Sequence, residues 1–393
     1  MKYLAHSWIL IKRSGKPGFV VLFYVFISIF ANVLANHEAL LQIEGGSVSF
    51  PFLENSSIPT TQKDSPFSVR AIIPYDAGQN DEMNAGLISP FDKQYTRSDN
   101  GQIQEISWRN RHWLGTTKLG SDLLADMLYG SRISFLIALA GTFFAFLLGA
   151  IIGFLTGWFG PGSIRVPLSR ILLILVSIVM LVFEFNSLNS SWDKWVGFFL
   201  IAGTLFILTY LNSKLNKWNI SNIKLPVPID GIFQRVSELF SGIPRIVLIL
   251  TVMQLLTPSW QSVVIVLAIS GWVDIARLIR SEIQRLKNQT FIEAAVVTGV
   301  NGYRLFMKQM MPNMWPTLIV VLLYTFAGNI LIESSLSFLG FGLPADVVTL
   351  GSIISSGKIY YEAWWLVLFP GLWISVLIFS LFQLSARLRN INS

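Results

Sequence analysis

The chain has 393 residues, of which 53% are apolar and only 13% charged, about half the charged fraction of an average soluble domain. It contains no cysteine, which excludes disulfides, thiolate catalysis and thiolate metal sites, and its three histidines (His6, His37 and His112) are not spaced as a metal pair. The net charge of +7 does not point to nucleic acid, because the basic residues stand at the ends of apolar blocks, as they do in cytoplasmic loops of membrane proteins.

The apolar residues fall in blocks of roughly 17–25, the length that crosses about 30 Å of hydrocarbon as helix. Eight such blocks lie near 19–35, 133–157, 168–185, 195–212, 236–256, 261–279, 315–338 and 363–384. The first follows a basic start with Lys2, Lys12, Arg13 and Lys16, which the positive-inside rule places in the cytoplasm. Val33-Leu34-Ala35 offers a small-residue cleavage site after a signal-peptide core. The apolar run is long for such a core, so residues 1–35 are read as a cytoplasmic tail and an uncleaved first helix.

Residues 36–130 hold Pro51, Pro59, Pro66, Pro74 and Pro90, with seven Lys/Arg against twelve Asp/Glu, a net charge of −5. They read as an external segment of short strands and loops. Residues 131–393 then form the membrane domain. If each block crosses once, Arg165, Arg170, Lys214, Lys217, Lys224, Arg235, Arg245, Arg277, Arg280, Arg285 and Lys287 fall at inside segments or helix ends. So do Arg304, Lys308, Arg387 and Arg389. The short outside loops receive only Lys194 and Lys358, and both termini are inside.

The most informative polar stretch lies between the sixth and seventh blocks, Thr290 to Asn313, within an inside loop at 280–314. Thr290 followed by Glu293 has the spacing of a capping box. Ala294 and Ala295 favour helix and add almost no bulk. Gly299 suits the left-handed position that ends a helix, and Asn301-Gly302 signals a turn. A second short helix is expected from Tyr303 to Met311, with Pro312 and Pro316 at the entry to the next span.

This stretch resembles the cytoplasmic signature of importer-type permeases of the ATP-binding-cassette class: Glu-Ala-Ala, three residues, Gly, nine residues, then Ile-x-Leu-Pro. Glu293, Ala294, Ala295, Gly299 and Pro312 match in register, and Gln309 and Met311 stand at the Ile and Leu positions. His112 to Phe135 is similar to the stretch before the family's second helix through Gly115, Thr116, Gly120, Asp122, Leu123, Tyr129, Gly130 and Arg132, although Thr117 and Ser121 depart from it. Leu331 to Gly342 resembles the end of its fifth helix. Ala363 to Leu377 resembles its last helix, with Pro370-Gly371 as the expected break; the usual acidic ending is missing. The likeness covers roughly 70–90 and 108–384 and is nearest to the second permease of peptide and nickel systems.

The resemblance implies an all-α polytopic protein with a six-helix core in the bacterial inner membrane. It implies four partners: a second permease forming a heterodimer, two ATPase subunits and an external substrate-binding protein. It assigns Glu293, Ala294, Ala295, Gly299 and Pro312 to ATPase coupling. Arg132, at a helix end, and Glu333, an ionisable group near the outer end of a span, are candidates for the pathway or an external gate. No cofactor, metal or catalytic residue is expected. No G-x-x-x-x-G-K-[ST] occurs, so ATP hydrolysis belongs to a partner. A secondary transporter is the alternative, but it needs midplane ionisable groups or paired broken helices, and few candidates are visible.

One insertion interrupts the likeness. Gly157-Trp158-Phe159-Gly160 matches the turn after the family's second helix, but the continuation reappears only at Asp230, Arg235, Glu238 and Pro244. Residues 161–229 are therefore expected to form an inserted helical hairpin. Two extra crossings leave every later helix in its original orientation.

Overall fold

The computed structural model describes residues 2–44, 47–49, 67–97, 102–160, 164–167, 203, 224–344 and 346–392. The chain divides into two compact units, one of Met1–Gly153 with Phe240–Ser393 and one of Phe154–Leu239.

The first unit opens with α1 (Lys2–Leu34), whose apolar stretch is Gly15–Leu34. Three short strands follow: β1 (Ala39–Glu44), β2 (Ser47–Ser49) and β3 (Phe67–Arg70), in the antiparallel order β2-β1-β3. A parallel bridge between Ala35 and Ile73 brings the chain back to the end of α1. A second hairpin pairs β4 (Tyr95–Arg97) with β5 (Ile103–Glu105). Strands and loops are what the many turn residues and the lack of long apolar runs in this segment predict.

Helix α2 (Leu123–Phe159) starts well ahead of the apolar block at 133. The reason is a cap: Asp122 Oδ1 accepts from the Ala125 amide at 2.7 Å. Helix α2 then lies very close to α5 (Trp260–Lys287). A Cβ at Gly149 would stand 2.8 Å from the Trp272 carbonyl oxygen, and one at Gly153 2.6 Å from that of Ala276. Between apolar helices in lipid, such backbone approach is what supplies the van der Waals attraction. Gly149→Leu is therefore expected to lower the thermal unfolding midpoint in detergent, with a cost of about 1–3 kcal/mol from overpacking. An unchanged midpoint would show that the two helices are not this close.

The remaining long helices are α8 (Met311–Leu339) and α10 (Trp365–Asn392). Gly340, at φ 82°, ends α8 in the left-handed conformation. Between them, α9 (Leu350–Ile359) begins with a reciprocal Thr349–Ser352 capping box. Leu123, Met127, Ile330, Leu350, Leu366 and Leu381 belong to one buried cluster shared by α2, α8, α9 and α10. Trp373 fixes α10 to its neighbours: Tyr24 donates to its carbonyl, and its indole N–H donates to Ser131 Oγ at 2.7 Å. Pro370-Gly371 does not break α10, which runs through it.

Between Phe240 and Trp260 the expected straight span at 236–256 is not what forms. Helix α3 (Ile229–Gly242) and helix α4 (Arg245–Leu255) meet at a bend of 90°. Pro244 explains it, since the residue before proline is disfavoured in helical conformation and Pro244 itself is extended, with ψ 125°. Among the described residues, five helices are long and apolar enough to cross a membrane, or six if the bent pair counts as one span. The fold is thus all-α and polytopic.

In the second unit, β6 (Ile164–Pro167) pairs antiparallel with β7 (Lys224–Val227), Ile164 opposite Val227 and Pro167 opposite Lys224. The two extra blocks expected at 168–185 and 195–212 lie, Gly203 apart, outside the described residues.

Candidate functional site

The loop singled out in the sequence folds as α6 (Thr290–Val297), a tight turn, and α7 (Gly302–Leu305). The cap of α6 is Gln289, not Thr290, and it makes no side-chain cap bond. The capping box read from Thr290 and Glu293 is therefore not formed, because Thr290 already sits inside the first turn. Ile292 and Ala295, three residues apart and both buried, hold one face of α6 against the protein. Glu293, Ala294, Val296 and Val297 point outward, and Val297 is 87% exposed.

Gly299 ends the helix at φ 74°. Its amide donates to the Val296 carbonyl at 3.0 Å, and the Val300 amide to that of Ala295 at 3.1 Å. This pair of bonds is the Schellman arrangement. A Cβ on Gly299 would meet nothing within 4 Å, so the position needs glycine for its backbone angle alone. Thr298, Gly299, Val300, Asn301, Tyr303 and Arg304 line an open cavity of ≈ 520 Å³ beside this turn. Asn301 Oδ1 accepts from the Tyr303 amide at 3.0 Å and starts α7. The expected separate helix to Met311 does not end there. The chain passes through a π-type turn, Phe306–Met310, straight into α8 with exposed Pro312 in its first turn. Proline tolerates that place because the first helical amides have no partner in any case.

The two candidates for a pathway or gate are not brought together by any ion pair among the described residues. Arg132 Nη1 donates to Asn32 Oδ1 at 2.7 Å and ties α2 to α1. Glu333 is 1% exposed and accepts from Ser337 Oγ at 3.0 Å and Ser334 Oγ at 3.4 Å, all on α8.

Two clusters escape a reading of the sequence. In the segment before α2, His112 is fully buried. Its Nδ1 lies 2.9 Å from Asp122 Oδ2 and its Nε2 3.3 Å from Asp81 Oδ2. Tyr75 stacks on the ring at 4.1 Å between centroids. Burial, with Asp122 and Asp81 adding to it, pushes the Tyr75 phenol far above its ordinary pKa, so it stays a neutral donor to the Asn110 carbonyl. Gln94 spans the His112 backbone, accepting from its amide at 2.8 Å and donating to its carbonyl at 3.0 Å. The second cluster is in the bundle. Arg245, expected at a cytoplasmic helix end, instead bonds Ser270 on α5 and Asn329 on α8. The only sequence signal for it was an arginine placed directly after Pro244 within an apolar block.

Residues 220–390 match the family described as "Binding-protein-dependent transport system inner membrane component". The dipeptide transport system permease protein DppC of Bacillus subtilis is 24% identical over 271 residues, 68% of this chain and 64% of that protein. A putative peptide transport system permease protein of Brucella suis is 26% identical over 266 residues, 67% of each chain. The inner membrane ABC transporter permease protein YejE of Escherichia coli is 24% identical over 390 residues, 95% of this chain and 90% of that one. The chain thus spans just under two thirds of the length of the Bacillus dipeptide protein and nearly all of the Escherichia one.

Proposed function

We propose that this chain, an importer-type permease of the ATP-binding-cassette class and of the binding-protein-dependent transport family, forms half of a translocation pathway for peptides across the bacterial inner membrane. Its partners in this reading are a second permease, two separate ATPase subunits and an external binding protein. The observation that carries the reading is α6: a short helix, anchored by Ile292 and Ala295, that turns Ala294, Val296 and Val297 outward, all three exposed among the described residues. Exposed apolar surface of this kind marks a docking site. Peptides enter the proposal because the relatives are named as peptide permeases.

The mechanism is the one that the family resemblance implies. ATP binding closes the ATPase pair, α6 moves with the groove that holds it, and the spans switch from inward-open to outward-open. The binding protein then delivers its ligand. Nucleotide and transport sites are coupled by a rigid element with two positions. Residues 161–229 are, in this proposal, a hairpin added at the edge of the six-helix core. Pairing of β6 with β7 supports a self-contained excursion, because it joins the two ends of that stretch.

Orientation is tested directly in this chain without cysteine. Gln289 and Ser107 are both exposed. With single cysteines at these positions, a membrane-impermeant thiol reagent applied to intact spheroplasts is expected to label Ser107→Cys and to spare Gln289→Cys until the cells are opened. The reverse pattern would place α6 outside, away from any ATPase, and sink the reading.

A further inference from the structure

Arg245 begins α4, directly after the Pro244 cap. Its guanidinium enters the bundle. Nε and Nη2 lie 3.4 and 3.3 Å from Ser270 Oγ on α5, and Nη2 donates to Asn329 Oδ1 on α8 at 3.2 Å. Asn329 in turn donates to Thr142 Oγ1 on α2 at 3.0 Å. One cation is thereby connected to three other helices. Gly271 leaves room for it, since a Cβ there would already stand 3.3 Å from Nη2.

The depth of this site follows from its partners. At about 1.5 Å per residue, Ser270 lies about 15 Å along α5 from Trp260, and Asn329 about 15 Å along α8 from Leu339. With Trp260 and Leu339 taken as the outer edge of the hydrocarbon, that is half of a core about 30 Å thick. The span is also discontinuous here, as α4 starts at Arg245 after the 90° bend.

The hydrogen bonds made to this guanidinium come from neutral groups, and the charge that acts on it is the carboxylate of Asp274, which makes no direct ion pair with it among the described residues. Nη1 makes no hydrogen bond among the described residues, and the side chain is only half-buried. About one turn, or about 6 Å, further along α5 from Ser270 stands Asp274, which is exposed. Ionisable groups at such depth face a bundle interior or a water-filled path, and the planar fork of arginine fits a carboxylate.

We infer that Arg245 is a binding site in the pathway for the carboxylate of a zwitterionic solute, with Asp274 facing its cationic end. This inference rests on the proposed transport function and names the part of a peptide that the pathway recognises: its free termini, which every short peptide shares. Side-chain identity plays no part in such recognition.

The test uses the complete complex, with the unchanged binding protein and ATPases, in proteoliposomes. ATP-dependent uptake of trialanine is compared with that of trialanine amide. Any preference of the binding protein is common to all variants and cancels in the comparison. Arg245→Gln is expected to lower the acid-to-amide uptake ratio on the order of tenfold relative to the original complex, the worth of one charge-assisted bond. Arg245→Lys, which keeps the charge, is expected to retain most of the ratio. An unchanged ratio in Arg245→Gln, or an equal fall for both peptides in both variants, makes Arg245 a structural tie and overturns the inference. So does failure of both variants to assemble. Absence of uptake of either peptide by the unmodified complex overturns the peptide reading itself, and this inference with it.

Discussion

Replacing Gly299 by valine is expected to uncouple the transporter: ATP hydrolysis by the assembled complex should lose its stimulation by loaded binding protein, and uptake should fall with it. The motivation is the φ of 74° at Gly299, with both Schellman bonds formed around it. A left-handed backbone costs an L-residue roughly 1–2 kcal/mol, and a β-branched residue is among the least tolerant. A Cβ at this site meets nothing within 4 Å, so no steric clash accompanies the backbone cost. The strain is relieved by re-aiming the end of α6 and the turn that follows. Membrane insertion should be normal, because α6 and its turn carry no span. Gly299→Ala should be impaired less than valine, and Gly299→Asn less again, since asparagine visits this region most readily. Normal stimulation and normal uptake in Gly299→Val would refute the coupling role of the turn.

His112→Ala is expected to have the largest effect on stability. The ring is fully buried and each of its nitrogens faces a carboxylate oxygen, Asp122 at 2.9 Å and Asp81 at 3.3 Å. Asp122 is itself buried and still holds the Ala125 amide. Deleting the ring leaves the second oxygen of Asp122 without its partner in a dry site and opens a void under Tyr75. Removing one member of a buried polar or charged pair costs on the order of 3 kcal/mol. The whole segment should loosen, because Asp81, Gln94 and Tyr75 reach His112 from three separate stretches of chain. Brief proteolysis of spheroplasts should cut the variant between residues 67 and 122 much faster than the original, while the helices remain inserted. Equal resistance would show that the cluster does not hold the segment together. His112→Gln keeps a donor toward one carboxylate and should fall between the two.

The sequence by itself determined the class of the protein, most of its spans and the place of the short helix α6. Lipid makes these properties legible, because a span has to satisfy its backbone internally and cover about 30 Å with apolar side chains, and both demands are local. The left-handed Gly299 was legible for the same reason: the angle is a property of one residue and its helix end. What the sequence misplaced were features set by competition between neighbours. Helix α6 begins one residue earlier than a Thr290 cap requires, with Gln289 at the cap position, and Pro244 turned an apolar block into two helices at a right angle. Pro370, by contrast, was absorbed into a continuous α10.

Only the tertiary structure decided which polar groups meet. Asp81 is far from His112 in the chain, and Arg245 is farther still from Asn329 and Thr142, so no spacing rule connects them. An arginine beside an apolar block has the same sequence signature whether it anchors at the cytoplasmic surface or enters the bundle. The difference was made by Gly271, which leaves room for a guanidinium, and by Ser270 and Asn329, which offer it oxygens at that depth. A charge in a membrane goes where its hydrogen bonds can be satisfied, and that depends on the packing of all the helices around it.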